Sequence, residues 1–266
     1  MQNSNRYFYQ QAVNSVMGAN VKIVRQPVIC GTNHKILIAE NDTGDKTVFR
    51  FNDRNTAHRN HDIAMLMKAY NVPAPRTELH MYQGQYFETY PYITGKTLQE
   101  HLDTGILPEH HNKIYTSIAY KFKQIASIPT FVLRNIKNPT CHQVAQANVL
   151  KKTNSRILGS LVRCATAALN GGNHVVCHCD LTPQNIIMND NKDITAILDL
   201  NAISVANINF AIAITGLSLE KNNLDKNEFY RVCSEIIPTK ICDTRIRLAE
   251  HACRLYFAQY TKQKSR

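Results

Sequence analysis

The spacing of apolar residues along the chain changes character once. Up to about residue 90 it mostly follows a two-residue period broken by turn residues, and beyond about residue 95 it mostly follows the helical period. Ala12, Val13, Val16 and Met17 recur at helical spacing within residues 1–18, which predicts a short opening helix. Strands are predicted over 20–26, 34–40 and 46–51. The turn residues Cys30-Gly31-Thr32-Asn33 and Asn41-Asp42-Thr43-Gly44-Asp45 separate them. Thr56 to Tyr70 predicts a helix with Thr56 as its cap and Ala57, Ile63, Ala64, Leu66 and Met67 as its apolar stripe. Asn71-Val72-Pro73-Ala74-Pro75 stops that helix, and two further strands, 77–81 and 85–90, flank Gln83-Gly84.

Pro91-Tyr92-Ile93-Thr94-Gly95 reads as a connector. After it, residues 98–102, 114–128 and 145–169 predict helices, as do 225–237 and 240–260, and residues 201–219 read as weakly polar and helical in their second half. The fold class expected is α+β in two lobes: a small antiparallel β-rich lobe over 1–92 and a larger helical lobe over 93–266.

A short β-like insertion interrupts the helical half. Val175-Val176-Cys177 is apolar and β-rich, and His178-Cys179-Asp180-Leu181-Thr182-Pro183-Gln184-Asn185 follows it. Ile186-Ile187-Met188, the turn Asn189-Asp190-Asn191-Lys192-Asp193 and the returning run Ile194 to Leu198 then form a hairpin that ends on Asp199. A loop held by such a hairpin can bring Asp180, Asn185 and Asp199 to one point. One carboxylate can accept a proton, while a carboxamide oxygen and a second carboxylate are hard ligands suited to Mg²⁺. Phosphoryl transfer needs positioning and charge neutralisation more than covalent chemistry. Asp180 is therefore the candidate base, and Asn185 and Asp199 are the candidate metal ligands. Turn chemistry alone can also place Asp and Asn in a loop; their spacing around an apolar hairpin is what favours the catalytic reading.

Composition narrows the partners. The 266 residues are 44% apolar and 19% charged, ordinary for a globular chain. No apolar run reaches the length of a membrane-spanning helix, and no apolar segment follows Met1 to Arg6, so neither a membrane span nor a secretory signal is expected. The eight cysteines show no C-x-x-C pairing, the pattern of reduced thiols in a cytoplasmic protein. A net charge of +11 is compatible with nucleic acid, an anionic surface or a polyanionic substrate. The basic residues are dispersed, with no Lys/Arg run, which argues against nucleic acid as the main partner. The sequence leaves the oligomeric state open.

The motifs resemble those of the aminoglycoside phosphotransferase and choline kinase superfamily, which has a protein-kinase-like fold, and above all its bacterial choline kinase-type enzymes. The resemblance runs over about residues 20–215 and is carried by Gly31-Thr32-Asn33, Val48-Phe49-Arg50-Phe51, Arg59-Asn60-His61-Asp62, Tyr92 to Leu98, Cys177 to Ile187 and Ile197-Leu198-Asp199-Leu200-Asn201. It implies ATP and Mg²⁺ as cofactors. Asp180 would be the base, Asn185 and Asp199 would hold Mg²⁺ on the nucleotide phosphates, and His178 would brace the loop. Thr32 and Asn33 would lie in the turn over the phosphates. Arg50 would stand where a strand lysine is usual and touch the α/β-phosphates, with Asp62 as its acidic partner and His58 or Arg59 as alternative neighbours. The Pro91 carbonyl and the Ile93 N–H would meet adenine, since proline has lost only an N–H that adenine does not use.

Departures from the family pattern gather on the acceptor side. Two expected acids are Asn207 and Ala211, and the second of these would brace the catalytic loop, so its loss is expected to loosen Asp180. There is no tryptophan to cage a quaternary ammonium. Tyr256, Phe257 and Tyr260, with Phe210, are the remaining aromatic candidates, and helical packing accounts for them equally well. The expected activity is a small-molecule kinase transferring the γ-phosphate to an alcohol, with a choline- or ethanolamine-type acceptor favoured. An aminoglycoside phosphotransferase and a catalytically inactive kinase-like binding module are the alternatives.

Overall fold

A computed structural model describes residues 2–19, 21–25, 35–106, 108–133, 174–237 and 241–264. The chain divides into two compact units, Met1–Thr94 and Gly95–Arg266. The helix expected over 145–169 and the turn at 30–33 lie outside the described residues. The architecture is α+β.

The N-terminal unit is an antiparallel sheet with a helix on each face. Helix α1 (Gln2–Met17) is followed by β1 (Lys22–Arg25), β2 (Lys35–Glu40) and β3 (Lys46–Asn52). Helix α2 (Arg54–Ala69), β4 (Glu78–Tyr82) and β5 (Gln85–Pro91) complete it, in the sheet order β1-β2-β3-β5-β4. Strand alternation sorts the two faces. Leu37, Ala39, Phe49, Phe51 and Phe87 pack with Ala12 and Val13 of α1. The opposite face carries Val48, Arg50, Asn52 and Glu88 and meets α2. The Asn41 side chain closes the β2–β3 turn by accepting from the Thr43 and Asp45 backbone N–H groups at 3.1 and 2.8 Å. Asp53, not Thr56, caps α2: it accepts both the Thr56 N–H, at 3.0 Å, and the Thr56 hydroxyl, at 2.6 Å. A carboxylate placed before the first turn meets the free N–H groups and the positive end of the helix dipole, so the helix begins two residues earlier than the apolar stripe suggests.

The C-terminal unit opens on β6 (Lys96–Thr97) and α3 (Leu98–Asp103), whose start is a full capping box between Thr97 and Glu100. Then come α4 (His111–Ala126), β7 (His174–His178), β8 (Ile186–Met188), β9 (Ile194–Ile197) and β10 (Ile203–Asn207). Helices α5 (Ile208–Glu220), α6 (Lys226–Ile236) and α7 (Asp243–Lys264) close the unit. Helix α5 is buried nearly all round and packs on α6 and α7, while α4 packs on α6 and β7. Its lack of a polar face marks it as the core of this unit. Strand β10 was not expected from the weakly polar residues after 200. It forms because β7 needs a ladder partner, and the two pair antiparallel from Ile203↔His178 to Asn207↔His174.

Candidate active site

The catalytic stretch folds as its local chemistry dictates. Strand β7 is buried and ends at His178, which is fully enclosed. Cys177 and Cys179 turn toward β10, where Cys179 Sγ lies 3.4 Å from Ser204 Oγ. The imidazole faces the other way. Its Nε2 lies 2.8 Å from the Leu198 carbonyl oxygen, and its Nδ1 is 3.2 Å from the Asp180 backbone nitrogen. A carbonyl can only accept and a backbone N–H can only donate, so Nε2 carries the proton and Nδ1 keeps its lone pair. Burial holds the imidazole pKa below its usual value, against the Leu198 carbonyl and the Asp199 charge that raise it. A neutral His178 thus ties the start of the loop to the end of the hairpin.

Between these ties the chain turns sharply. The Thr182 N–H donates to the Asp180 carbonyl at 2.8 Å, and Pro183 leads a 3-10 turn that delivers Asn185. The Asn185 amide nitrogen donates to the Asp180 carbonyl at 2.8 Å and to Asp180 Oδ2 at 3.1 Å. With the NH₂ end committed to the loop, the carbonyl oxygen takes no part in these bonds. The Leu198 N–H donates to the Asn185 carbonyl at 2.8 Å, which brings the end of β9 back to the loop. Asp199 then takes a left-handed backbone conformation, with φ 54° and ψ 58°. Such backbone strain in a non-glycine residue persists only where the surroundings enforce it, and it concentrates at functional sites.

The electrostatics of the cluster are those of two acids close together. Burial, and after it the negative charge of Asp199, push the Asp180 carboxyl up to about 6, while the Asn185 amide pulls it down. A cation would relieve this repulsion, and the Asn185 carbonyl oxygen and the Asp199 carboxylate are hard oxygen donors of the kind Mg²⁺ takes in small number beside phosphate oxygens and water. Among the described residues no three His, Cys, Asp or Glu side chains gather as a metal site, so a cation here would depend on the Asn185 amide as well. The donor set fits Mg²⁺.

Residues 32–219 match the phosphotransferase enzyme family, APH. The chain belongs to that family. Solved structures resemble it at the level of the fold. One is aminoglycoside 2'-phosphotransferase-IIIa in its GDP complex, at TM-score 0.71 and 12% identity, covering 97% of this chain and 93% of that one. A second is the macrolide 2'-phosphotransferase MphH from Brachybacterium faecium, at TM-score 0.66 and 15% identity over 96% of this chain and 92% of that one. A third is the Plasmodium vivax ethanolamine kinase, at TM-score 0.63 and 14% identity over 94% of this chain and 78% of that one. No curated protein matches the chain by sequence.

This APH-family chain stabilises its catalytic loop without an acid at position 211. Ala211 is fully buried in α5, and Asn207 caps that helix by accepting from the Asn209 N–H at 2.9 Å. The loop is held instead by His178, by the Asn185 amide and by the Cys179 N–H donating to the Ala202 carbonyl at 2.9 Å. Gly95 supports the hairpin from its other side. Its φ is +127°, and a Cβ there would fall 2.7 Å from the Met188 carbonyl oxygen and 2.9 Å from Ile187 Cγ2. Only glycine lets β6 lie this close to β8, where Lys96 pairs with Met188 and Thr97 with Ile187.

The nucleotide-side expectations fall in the N-terminal unit. Thr32 and Asn33 lie outside the described residues. Arg50 is half-buried on β3, and the acid directly opposite it in the sheet register is Glu88 of β5. The expected pairing of Arg50 with Asp62 is corrected by helix geometry. The side chain that α2 turns to the sheet is Asn60, and a residue two positions on is rotated by about 200°. Pro91 ends β5, and the following Tyr92 N–H donates back to the Lys46 carbonyl at 2.8 Å. The sheet therefore asks for no N–H at residue 91, which is where a proline is tolerated. Ile93 follows, half-buried, before Gly95. Tyr256, Phe257 and Tyr260 lie on α7, with side chains outside the described residues, and Phe210 is buried in the core. Arg254 beside them pairs with Glu220 at 2.6 Å. Sequence reasoning passed over Gly95 as a hairpin contact and over Glu88 and Asn60. A polar residue inside the apolar stripe Ala57, Asn60, Ile63, Ala64, Met67 was the available signal for Asn60.

Proposed function

We propose that the chain is an ATP- and Mg²⁺-dependent small-molecule kinase. In this reading the acceptor's alcohol oxygen attacks the γ-phosphorus, the bond to the ADP oxygen breaks, and the hydroxyl proton passes to the Asp180 carboxylate. The Asn185 carbonyl oxygen and the Asp199 carboxylate would hold Mg²⁺, whose charge would neutralise the phosphate oxygens. Arg50 would contact the α/β-phosphates, and the Pro91 carbonyl and Ile93 N–H the adenine. The observation that carries the reading is the Asn185 amide, pinned to Asp180 through its nitrogen, together with an Asp199 held in a strained backbone conformation. Family membership supports the reaction class. Buried free thiols at Cys177, Cys179, Cys233 and Cys253, together with the need for ATP, favour a cytoplasmic setting.

Choline or ethanolamine is the favoured acceptor class. An aminoglycoside is the second reading, supported by the likeness to aminoglycoside phosphotransferases. It ranks lower because so basic a chain offers a polycation little electrostatic attraction. A non-catalytic kinase-like module is the alternative outside enzymes, and it draws on Ala211 and the missing tryptophan. The test is thermal shift with ATP and Mg²⁺, followed by ATP consumption against a panel of amino alcohols, sugars and aminoglycosides. Absence of a shift at millimolar MgATP would refute the kinase reading. A shift with no turnover on any acceptor would favour the binding module.

A further inference from the structure

A buried polar band crosses the α2-facing side of the N-terminal sheet, and the catalytic motif does not account for it. Arg50 and Asn52 stand two apart on β3, Glu88 lies opposite Arg50 on β5, and Asn60 descends from α2. Directly opposed residues send their side chains from the same face, so the Arg50 guanidinium and the Glu88 carboxylate share one side of the sheet. Glu88 is only 1% exposed, and Asn52 and Asn60 are buried as well. The Asn52 and Asn60 amide nitrogens both donate to Glu88 Oε1, at 2.6 and 2.8 Å.

Two donors from two different elements on one oxygen fix the carboxylate plane and leave the second oxygen for the cation beside it. Burying a carboxylate is costly, and burial does push the Glu88 carboxyl above its usual range. The Asn60 amide, the Arg50 charge and the Asn52 amide pull it back. An apolar cluster on the other face of the sheet, packed against α1, includes no member of the band.

We infer that Glu88 is the positioning residue for Arg50, with Asn60 of α2 steadying Glu88. A strand acid thereby takes the place that the motif assigns to a helix acid at Asp62. A guanidinium has a fixed fork of donors, so one edge held by Glu88 would orient the remaining N–H groups as a set. This inference rests on the reading of Arg50 as a nucleotide-phosphate contact.

The test is a double-mutant cycle on MgATP affinity, measured by calorimetry on the full chain, with adenosine as a ligand that lacks phosphates. Glu88→Gln keeps the oxygen that accepts from both asparagines and removes only the charge. It should weaken MgATP about tenfold, as Arg50→Met should, because a charge-assisted contact is lost in each. The double variant should bind MgATP no more weakly than the poorer single variant, because the two residues act as one unit. Adenosine affinity should stay unchanged in all three. Unchanged MgATP affinity in Glu88→Gln would overturn the inference. So would effects of the two substitutions that simply multiply, or an equal loss of adenosine affinity. If the wild-type chain binds no MgATP, the nucleotide reading itself fails. If Arg50→Met alone has no effect, the assignment of Arg50 fails while the rest of the kinase reading stands.

Discussion

The two polar clusters of this protein handle buried charge in opposite ways. In the C-terminal unit, Asp180 and Asp199 are like charges held near one another, and the charge of Asp199 makes the ionisation of Asp180 less favourable. In the N-terminal unit, Glu88 is matched by Arg50 and by two amide donors. The first cluster is electrostatically incomplete, and in the proposed reading Mg²⁺ would complete it. The second is neutralised from within and serves as scaffold. They also differ in how they are assembled. The groups around Asp180 lie between residues 178 and 202 and are tied by short-range backbone bonds. Those around Glu88 come from positions 50, 52, 60 and 88, on three separate elements.

The largest effect expected from breaking this contrast is at Asp180. Asp180→Ala should lower the transfer rate on the order of 10³-fold while nucleotide binding by thermal shift is retained, because a general base is worth about that much. Residual activity near the wild-type level would show that another group takes the proton. Asp199→Ala should come next. The dependence of ATP affinity on Mg²⁺ should disappear, as read by titrating ATP with and without a chelator, and an unaltered dependence would remove Asp199 from the metal site.

Gly95→Ala probes how rigidly the hairpin is held. The added methyl meets the Met188 carbonyl oxygen and Ile187, at a backbone angle that alanine tolerates poorly. Destabilisation of about 2–4 kcal/mol is expected in denaturant unfolding.

The smallest effect concerns pH and Glu88. Its carboxyl is raised in the folded chain, so the folded state binds the proton more tightly than the unfolded state does. Stability of the wild-type chain should therefore fall as pH rises from the ordinary carboxylate pKa through the raised one, and stay level above it. Burial sets this direction, and Asn60 and His61 on α2 and Arg50 and Asn52 on β3 oppose it, so the attraction of Arg50 is already included. Glu88→Gln should remove this contribution. Its melting temperature should match the wild type near pH 4 and exceed it at neutral pH. A melting temperature below the wild type at neutral pH would mean that the charge pair stabilises the fold outright.

The catalytic hairpin was legible because its logic is short-range. The apolar runs on either side of Asn189–Asp193 are close enough in the chain to pair across one turn, and a Pro after Thr182 sets the turn that delivers Asn185. The acidic partner of Arg50 was not legible. The motif spacing points to Asp62, but the register of β3 against β5 and the rotation of α2 put Glu88 and Asn60 there. Strand β10 was missed for a related reason: Ile203 and Val205 favour a strand but Ser204, Ala206 and Asn207 do not, and the free edge of β7 decided the matter.

By itself, the sequence determined the phosphotransferase family and the hairpin that brings Asp180, Asn185 and Asp199 together. The latter depends on spacing within one stretch, where neighbours in the chain are neighbours in space. It also determined that the first part of the chain is a meander of strands, through its two-residue alternation and its turn residues. Only the tertiary structure decided which side chain balances Arg50 and why residue 95 is glycine. Each of these depends on a contact between segments distant in sequence, set by sheet register, helix rotation or the close approach of two backbones, and a local pattern of residues carries none of that information.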